Sequence, residues 1–104
     1  MDWQPIKTAP KDGTQIDLWM VDQDGNGWRE ADAWFVAGRD DRFTAYDAGG
    51  TSRYVTEKRD GWFVDNRDYG EPGFCDQPPR MYGLPRRETF ERPTHWMPRP
   101  DPPA

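Results

Sequence analysis

The chain has 104 residues, a formal net charge of -5 and a single cysteine, Cys75. That length leaves room for one domain, and one cysteine excludes an intramolecular disulfide and a cysteine-based zinc site. The acid excess excludes nonspecific nucleic-acid binding, which needs a basic face. Five of the residues are Phe, six are Trp and four are Tyr, and each can bury roughly 150–250 Å². Aliphatic residues are few, so a folded domain has to be built on a small aromatic core. Fourteen of the nineteen acids are Asp, a residue that favours turns over helix interiors.

In chain order, residues 4–14 read as an extended lead-in closed by the turn signal Lys11-Asp12-Gly13-Thr14. Gln15 to Val21 alternates with period two. Ile16, Leu18 and Met20 share one face, and Asp17 and Trp19 the other, which predicts a strand. Asp22 to Gly27 is dense in turn residues and ends in Asn-Gly, a hairpin signal. Trp28 to Val36 is the expected return strand, with a less regular alternation. Gly38 to Asp41 reads as a polar turn, and Phe43–Tyr46 and Arg53–Thr56 as short strands around Gly49-Gly50. Gly61 to Val64 is a further strand. From Asp65 to Arg92, scattered Pro and Gly predict a long irregular loop. Pro93 to Met97 is the last strand, and 98–104 is a Pro-rich tail of polyproline II or frayed character. The expected fold is mainly β, with an α+β variant if a helical turn is included. It is a small antiparallel sheet of about five strands with long loops and an aromatic core. Residues 1–97 form the domain.

Two motifs stand at the ends: W-Q-P-I-K-T-A-P-K-D-G-T over Trp3–Thr14 and P-T-H-W-M-P-R-P over Pro93–Pro100. Together they resemble a family of short phage and prophage proteins of unknown function that begin W-x-P-I-x-T-A-P-x-D-G-T and close T-H-W-M-P-x-P. The resemblance covers about a fifth of the chain, and it implies that 38–92 is expanded here relative to the family. It brings no activity with it. On physical grounds Trp3, Ile6, Asp12, Gly13, His95 and Trp96 are expected to clasp the two ends together. A shared binding surface is the alternative.

Asp22, Asp24 and Asn26 match the first half of a calcium loop, and Glu30 falls at its ninth position. The twelfth position is Ala33 rather than a bidentate Glu, and a plain hairpin turn accounts for the same residues. His95 is the only histidine, with no nucleophile in a recognisable setting beside it, so no catalytic residue and no cofactor are expected. Two groups are candidates for a partner surface. One is the acids Asp22, Asp24, Asp40 and Asp41. The other is the basic, aromatic-bearing set Arg80, Tyr82, Arg86 and Arg87, residue types that anchor interfaces.

The expected function is a phage- or prophage-encoded, non-enzymatic binding protein acting on a host protein. An anti-defence inhibitor such as an anti-CRISPR, using an acidic surface against a basic nucleic-acid-binding partner, is the favoured form. A virion or assembly component is the first alternative and a small metal-dependent enzyme the second. Met1-Asp2-Trp3 has neither the basic start nor the apolar stretch of a signal peptide. No apolar run is long enough to span a membrane. The expected location is the cytoplasm of the bacterial host cell. Sequence leaves the oligomeric state open.

Overall fold

A computed structural model describes residues 2–47, 49–66, 70–82 and 87–100. Strand β1 is Gln4–Pro5, followed by a 3₁₀ turn at Ile6–Thr8; β2 is Ile16–Asp22, β3 Gly27–Tyr46 and β4 Ser52–Asn66. Strand β5 is Glu71–Phe74, β6 Gln77–Tyr82 and β7 Arg87–Pro98. All pairings are antiparallel, and the sheet runs β1-β7-β2-β3-β4-β5. β6 lies on β7, along the same edge that β1 uses further on. The mainly-β antiparallel class agrees with the sequence. The strand count differs: among the described residues there are seven strands rather than about five.

The alternation in β2 works as its sequence says. Ile16, Leu18 and Met20 are fully buried, and Trp19 on the opposite face is exposed. They form the core with Ala9, Ala33, Trp62 and Cys75, flanked by Ile6, Trp28, Phe35, Val64 and Trp96. The irregular alternation of β3 has a local cause. Ile16 is paired with Ala33 but Leu18 with Glu30, so β3 carries one extra residue there. Asp32 takes the left-handed φ of 59° that such a bulge needs. Asp17, 1% exposed, holds the bulge: its Oδ1 accepts the Asp32 N–H at 3.2 Å, and Oδ2 pairs with Arg29. Beyond the bulge the phase inverts, and Ala33 and Phe35 turn inward.

The expected polar turn at Gly38–Asp41 is instead a second bulge inside a continuous strand. Gly38 has φ 63°, the β3–β4 register shifts between Val36 and Arg39, and the Gly38 N–H donates to Asp60 at 2.9 Å. β3 then runs on to Tyr46, turns at Asp47–Thr51, and returns as β4. The result is a two-stranded arm that makes the molecule 57 Å long and about half as wide. A Cβ at Gly38 would meet nothing within 4 Å, so Gly38→Ala carries only the backbone strain of a left-handed residue. The expected loss is about 1 kcal/mol in urea denaturation.

The expected loop from Asp65 to Arg92 is also mostly strand among the described residues. Its prolines sit where a missing N–H is tolerated. Pro72 is in the outermost strand β5, Pro78 and Pro79 fall in the register shift of β6, and Pro93 adjoins the shift in β7.

Candidate functional site

The terminal motifs meet. Gln4 pairs with Trp96 and Pro5 with His95. The Trp96 indole N–H donates to Thr8 Oγ1 at 3.0 Å, and the Thr8 hydroxyl donates to the Pro5 carbonyl at 2.8 Å. Ile6 and Trp96 pack on the core. Asp12 closes its turn at Gly13, φ 92°, by accepting the Thr14 N–H and hydroxyl at 3.0 and 2.6 Å. These hydrogen bonds hold its carboxyl below the usual range. On the outer face, Trp3 lies 5.9 Å from Trp19, and the two border a shallow hollow with His95. His95 Nδ1 is 2.8 Å from the Thr94 hydroxyl.

The acids expected to face a partner each have a partner within the molecule, Asp24 and Asp40 in exposed surface pairs. Asp22 accepts from the Asp24 and Asn26 amides at 2.9 and 3.0 Å and from the Asn26 side chain at 3.2 Å. The cost of withdrawing it from water is outweighed by these hydrogen bonds, so its carboxyl titrates below the usual range. Asp24 pairs with Arg87 at 2.5 Å and Asp40 with Lys58 at 3.2 Å. Asp22 thus spends its oxygens on the turn's own amides, and Glu30 accepts from the Trp28 indole at 3.0 Å. Among the described residues, no three His, Cys, Asp or Glu side chains converge on a point that could hold a metal ion.

Of Asp41 and Arg80, both expected at the surface, Asp41 is buried at the root of the arm and Arg80 is largely covered. Asp41 Oδ2 accepts from Arg59 Nε at 2.6 Å and from Arg80 Nη2 at 2.7 Å. Arg59 reaches on to the Asp76 carboxylate at 3.3 Å and carbonyl at 2.7 Å, and Arg80 to Gln77 at 2.9 Å. Each guanidinium lies 3.7 Å from a ring centroid, Phe74 for Arg59 and Phe43 for Arg80. This network joins β3, β4 and β6, and it is why a long polar ribbon stands in a fixed direction. Tyr82 pairs through its backbone with Arg87. Its side chain, and all of Arg86, lie outside the described residues.

Beside the network, β4, β6 and β7 enclose a groove of about 360 Å³. Pro78, Pro79, Phe90 and Pro93 give it apolar walls, and Asp60, Asp76, Glu88 and Glu91 line it with carboxylates. Glu91 is placed by its register between Asp22 of β2 and Gln77 of β6. Burial, then the charges of Asp22 and Glu30, push its carboxyl above the usual range. Asp76 is raised by burial, although Trp62 N–H at 3.1 Å and Arg59 pull the other way. Burial first, and then the charges of Asp76, Glu30 and Glu91, push the Cys75 thiol behind the wall well up, so it stays protonated at neutral pH. Of the two arginines at the groove, Arg59 is committed to Asp41 and Asp76, and Arg92 lies 5.2 Å from the Phe90 ring centroid. The groove is a negatively charged trough with apolar walls, suited to a cationic side chain or segment.

Sequence reasoning singled out neither Asp60, Asp76, Glu88 nor Glu91. The residues come from three strands, and counted along the chain the acids of 51–104 are matched by bases. Only the fold reveals that several of those bases are used elsewhere.

Compared with family models, with curated proteins and with solved structures, the chain matches none. Among the described residues, no helix is long and apolar enough to cross a membrane.

Proposed function

We propose that this protein is a non-enzymatic binding protein that acts by covering a surface of another protein. Its partner presents basic groups of the kind that line nucleic-acid channels. The observation that carries the reading is the groove lined by Asp60, Asp76, Glu88 and Glu91, where burial first, and then the charges of Asp22 and Glu30, push the Glu91 carboxyl up. Four carboxylates set against two arginines, one of them shared with Asp41, are an electrostatic cost in the free protein. A cationic partner relieves that cost on docking, which gives both orientation and on-rate. The terminal motifs and the family they resemble favour a bacteriophage or prophage origin. In that setting the partner is a host protein, and inhibition of a defence complex such as a CRISPR effector is the specific form of the reading.

The test is capture from nuclease-treated bacterial lysate on immobilised protein. A stoichiometric partner is expected at low salt, released by about 0.5 M salt because charge pairs are then screened, and displaced by added single-stranded DNA. The triple variant Asp60→Asn, Glu88→Gln, Glu91→Gln is expected to lose capture about tenfold or more with its melting temperature kept or raised. Finding no stoichiometric partner, or undiminished capture by the triple variant, would overturn the reading.

A further inference from the structure

The arm leaves one strand edge open. β4 is paired with β3 from Ser52 to Phe63, but with β5 only over Phe63–Asn66. On that outer side Ser52–Lys58 has no neighbour among the described residues. The hairpin turn fixes which backbone groups point outward. The Asp47 N–H donates to the Thr51 carbonyl at 3.1 Å, and the Thr51 N–H to Asp47 Oδ1 at 2.9 Å. Thr51 therefore faces inward, and so, by alternation, do Arg53, Val55 and Glu57. The N–H and C=O of Ser52, Tyr54, Thr56 and Lys58 face out. An open edge is ordinarily blunted by Pro, a bulge, charged side chains or very short length; of the charges here Lys58 is paired with Asp40, which leaves one of each sign, Arg53 and Glu57. This one has no Pro and no register shift from Ser52 to Lys58. A two-stranded ribbon is also marginal by itself, whereas four strands make a stable sheet.

We propose that this edge pairs with the same edge of a second copy of the chain, antiparallel about a two-fold axis at Val55. The sequence is complementary to itself in this register alone. Val55 then faces Val55 of the second copy, Arg53 faces Glu57 on both sides of the axis, and Tyr54 faces Thr56. Outward-facing backbone groups meet only in registers where even-numbered residues face even-numbered ones. Of the neighbouring choices, a centre at Thr56 sets Arg53 against Arg59, a centre at Glu57 sets that acid against itself, and a centre at Tyr54 leaves both charges unmatched. Arg53 and Glu57 are exposed and have no hydrogen bond or ion pair among the described residues. Tyr54 is 92% exposed. In the pair, the two Tyr54 rings come within diagonal reach across the axis. The contact is isologous and closes at two copies. It is small beside the ~1,200–2,000 Å² of a stable interface, so the association is micromolar rather than nanomolar. It carries two acidic grooves on one particle and does not depend on what those grooves bind.

Sedimentation velocity on the purified chain from about 5 to about 500 µM is expected to show a reversible monomer–dimer equilibrium. Arg53→Glu and Glu57→Arg should each weaken it about fivefold or more by opposing like charges, and the combined swap should restore it. Val55→Cys should form a symmetric disulfide under mild oxidation, because a non-hydrogen-bonded pair brings its Cα atoms to about 4.5 Å. Tyr54→Cys, offset from its own copy, should cross-link more slowly. A chain that stays monomeric throughout that range overturns the proposal, and so does dimerisation indifferent to both charge reversals.

Discussion

Asp41→Ala is expected to cost about 3–5 kcal/mol of folding stability and to loosen the arm from the body. Asp41 is 6% exposed, and its Oδ2 is shared by Arg59 and Arg80. Both arginines are themselves mostly covered. Withdrawing two guanidinium groups from water is tolerable because one carboxylate sits between them and a ring lies under each. Removing that carboxylate leaves two buried cations with reduced compensation, and the cheapest relief is for the arm to swing away. Against a total stability on the order of 5–15 kcal/mol, the loss is large. Urea denaturation should register it, and amide exchange should quicken along 39–59. Asp40→Ala, one residue away, removes only an exposed pair with Lys58 and should change stability by less than about 0.5 kcal/mol.

The same variant has a sign in pH. Burial by itself would push the Asp41 carboxyl up, but hydrogen bonds from Arg80 and Arg59, with their charges, hold it below the usual range. A depressed folded pKa gives stability that is fully present above the unfolded value near 4 and is lost as pH falls through the folded one. Wild type and Asp41→Ala should therefore draw together in acid and separate towards neutral pH. Asp76 works in the opposite sense, since its folded pKa is raised and its ionisation opposes folding. It shares Arg59 with Asp41, so the substitution also alters its titration, and the two proteins are compared over their whole stability–pH curves.

Where one face meets the core and the other meets water, the sequence reads directly. Ile16, Leu18 and Met20 declare β2 by period alone, and Asp47–Thr51 declares its turn. The failures share a physical cause. Both faces of the arm lack a continuous apolar core, so its strand residues carry no alternation, and Gly38-Arg39-Asp40-Asp41 looks like a turn. Edge strands accept proline, so β5 and β6 look like loop. Asp17 sits in a perfect strand pattern at a position that pattern assigns to the outer face. Its burial follows from Arg29 and the Asp32 bulge, which no local window contains. The groove was hidden in the same way: Asp60, Asp76 and Glu91 are unremarkable acids until β4, β6 and β7 bring them together. Composition announced an acidic character and located it at Asp22, Asp24, Asp40 and Asp41. The fold ties those four to its own amides and bases and gathers a different set at the groove.

Trp62→Ala is the second large expected loss, about 3–5 kcal/mol. Trp62 is 5% exposed, and its ring centroid is 5.3 Å from that of Phe35, its partner across the β3–β4 ladder. Its backbone ties down the next segment: the N–H donates to Asp76 Oδ1 at 3.1 Å, and the carbonyl accepts the Cys75 N–H at 2.9 Å. The residue therefore stands where the core, the root of the arm and the wall of the groove meet. In a core with so few aliphatic side chains, the vacated volume has little beside it to collapse inward, which places the loss towards the upper end of that range. The midpoint of urea denaturation should fall accordingly. Tyr54→Ala is the control from the other end of the arm. It removes a ring that packs on nothing in the monomer, so stability should hold within about 0.5 kcal/mol. A loss for Tyr54→Ala comparable to that for Trp62→Ala would mean that the arm is buried in the folded particle to a far greater degree than a single chain allows.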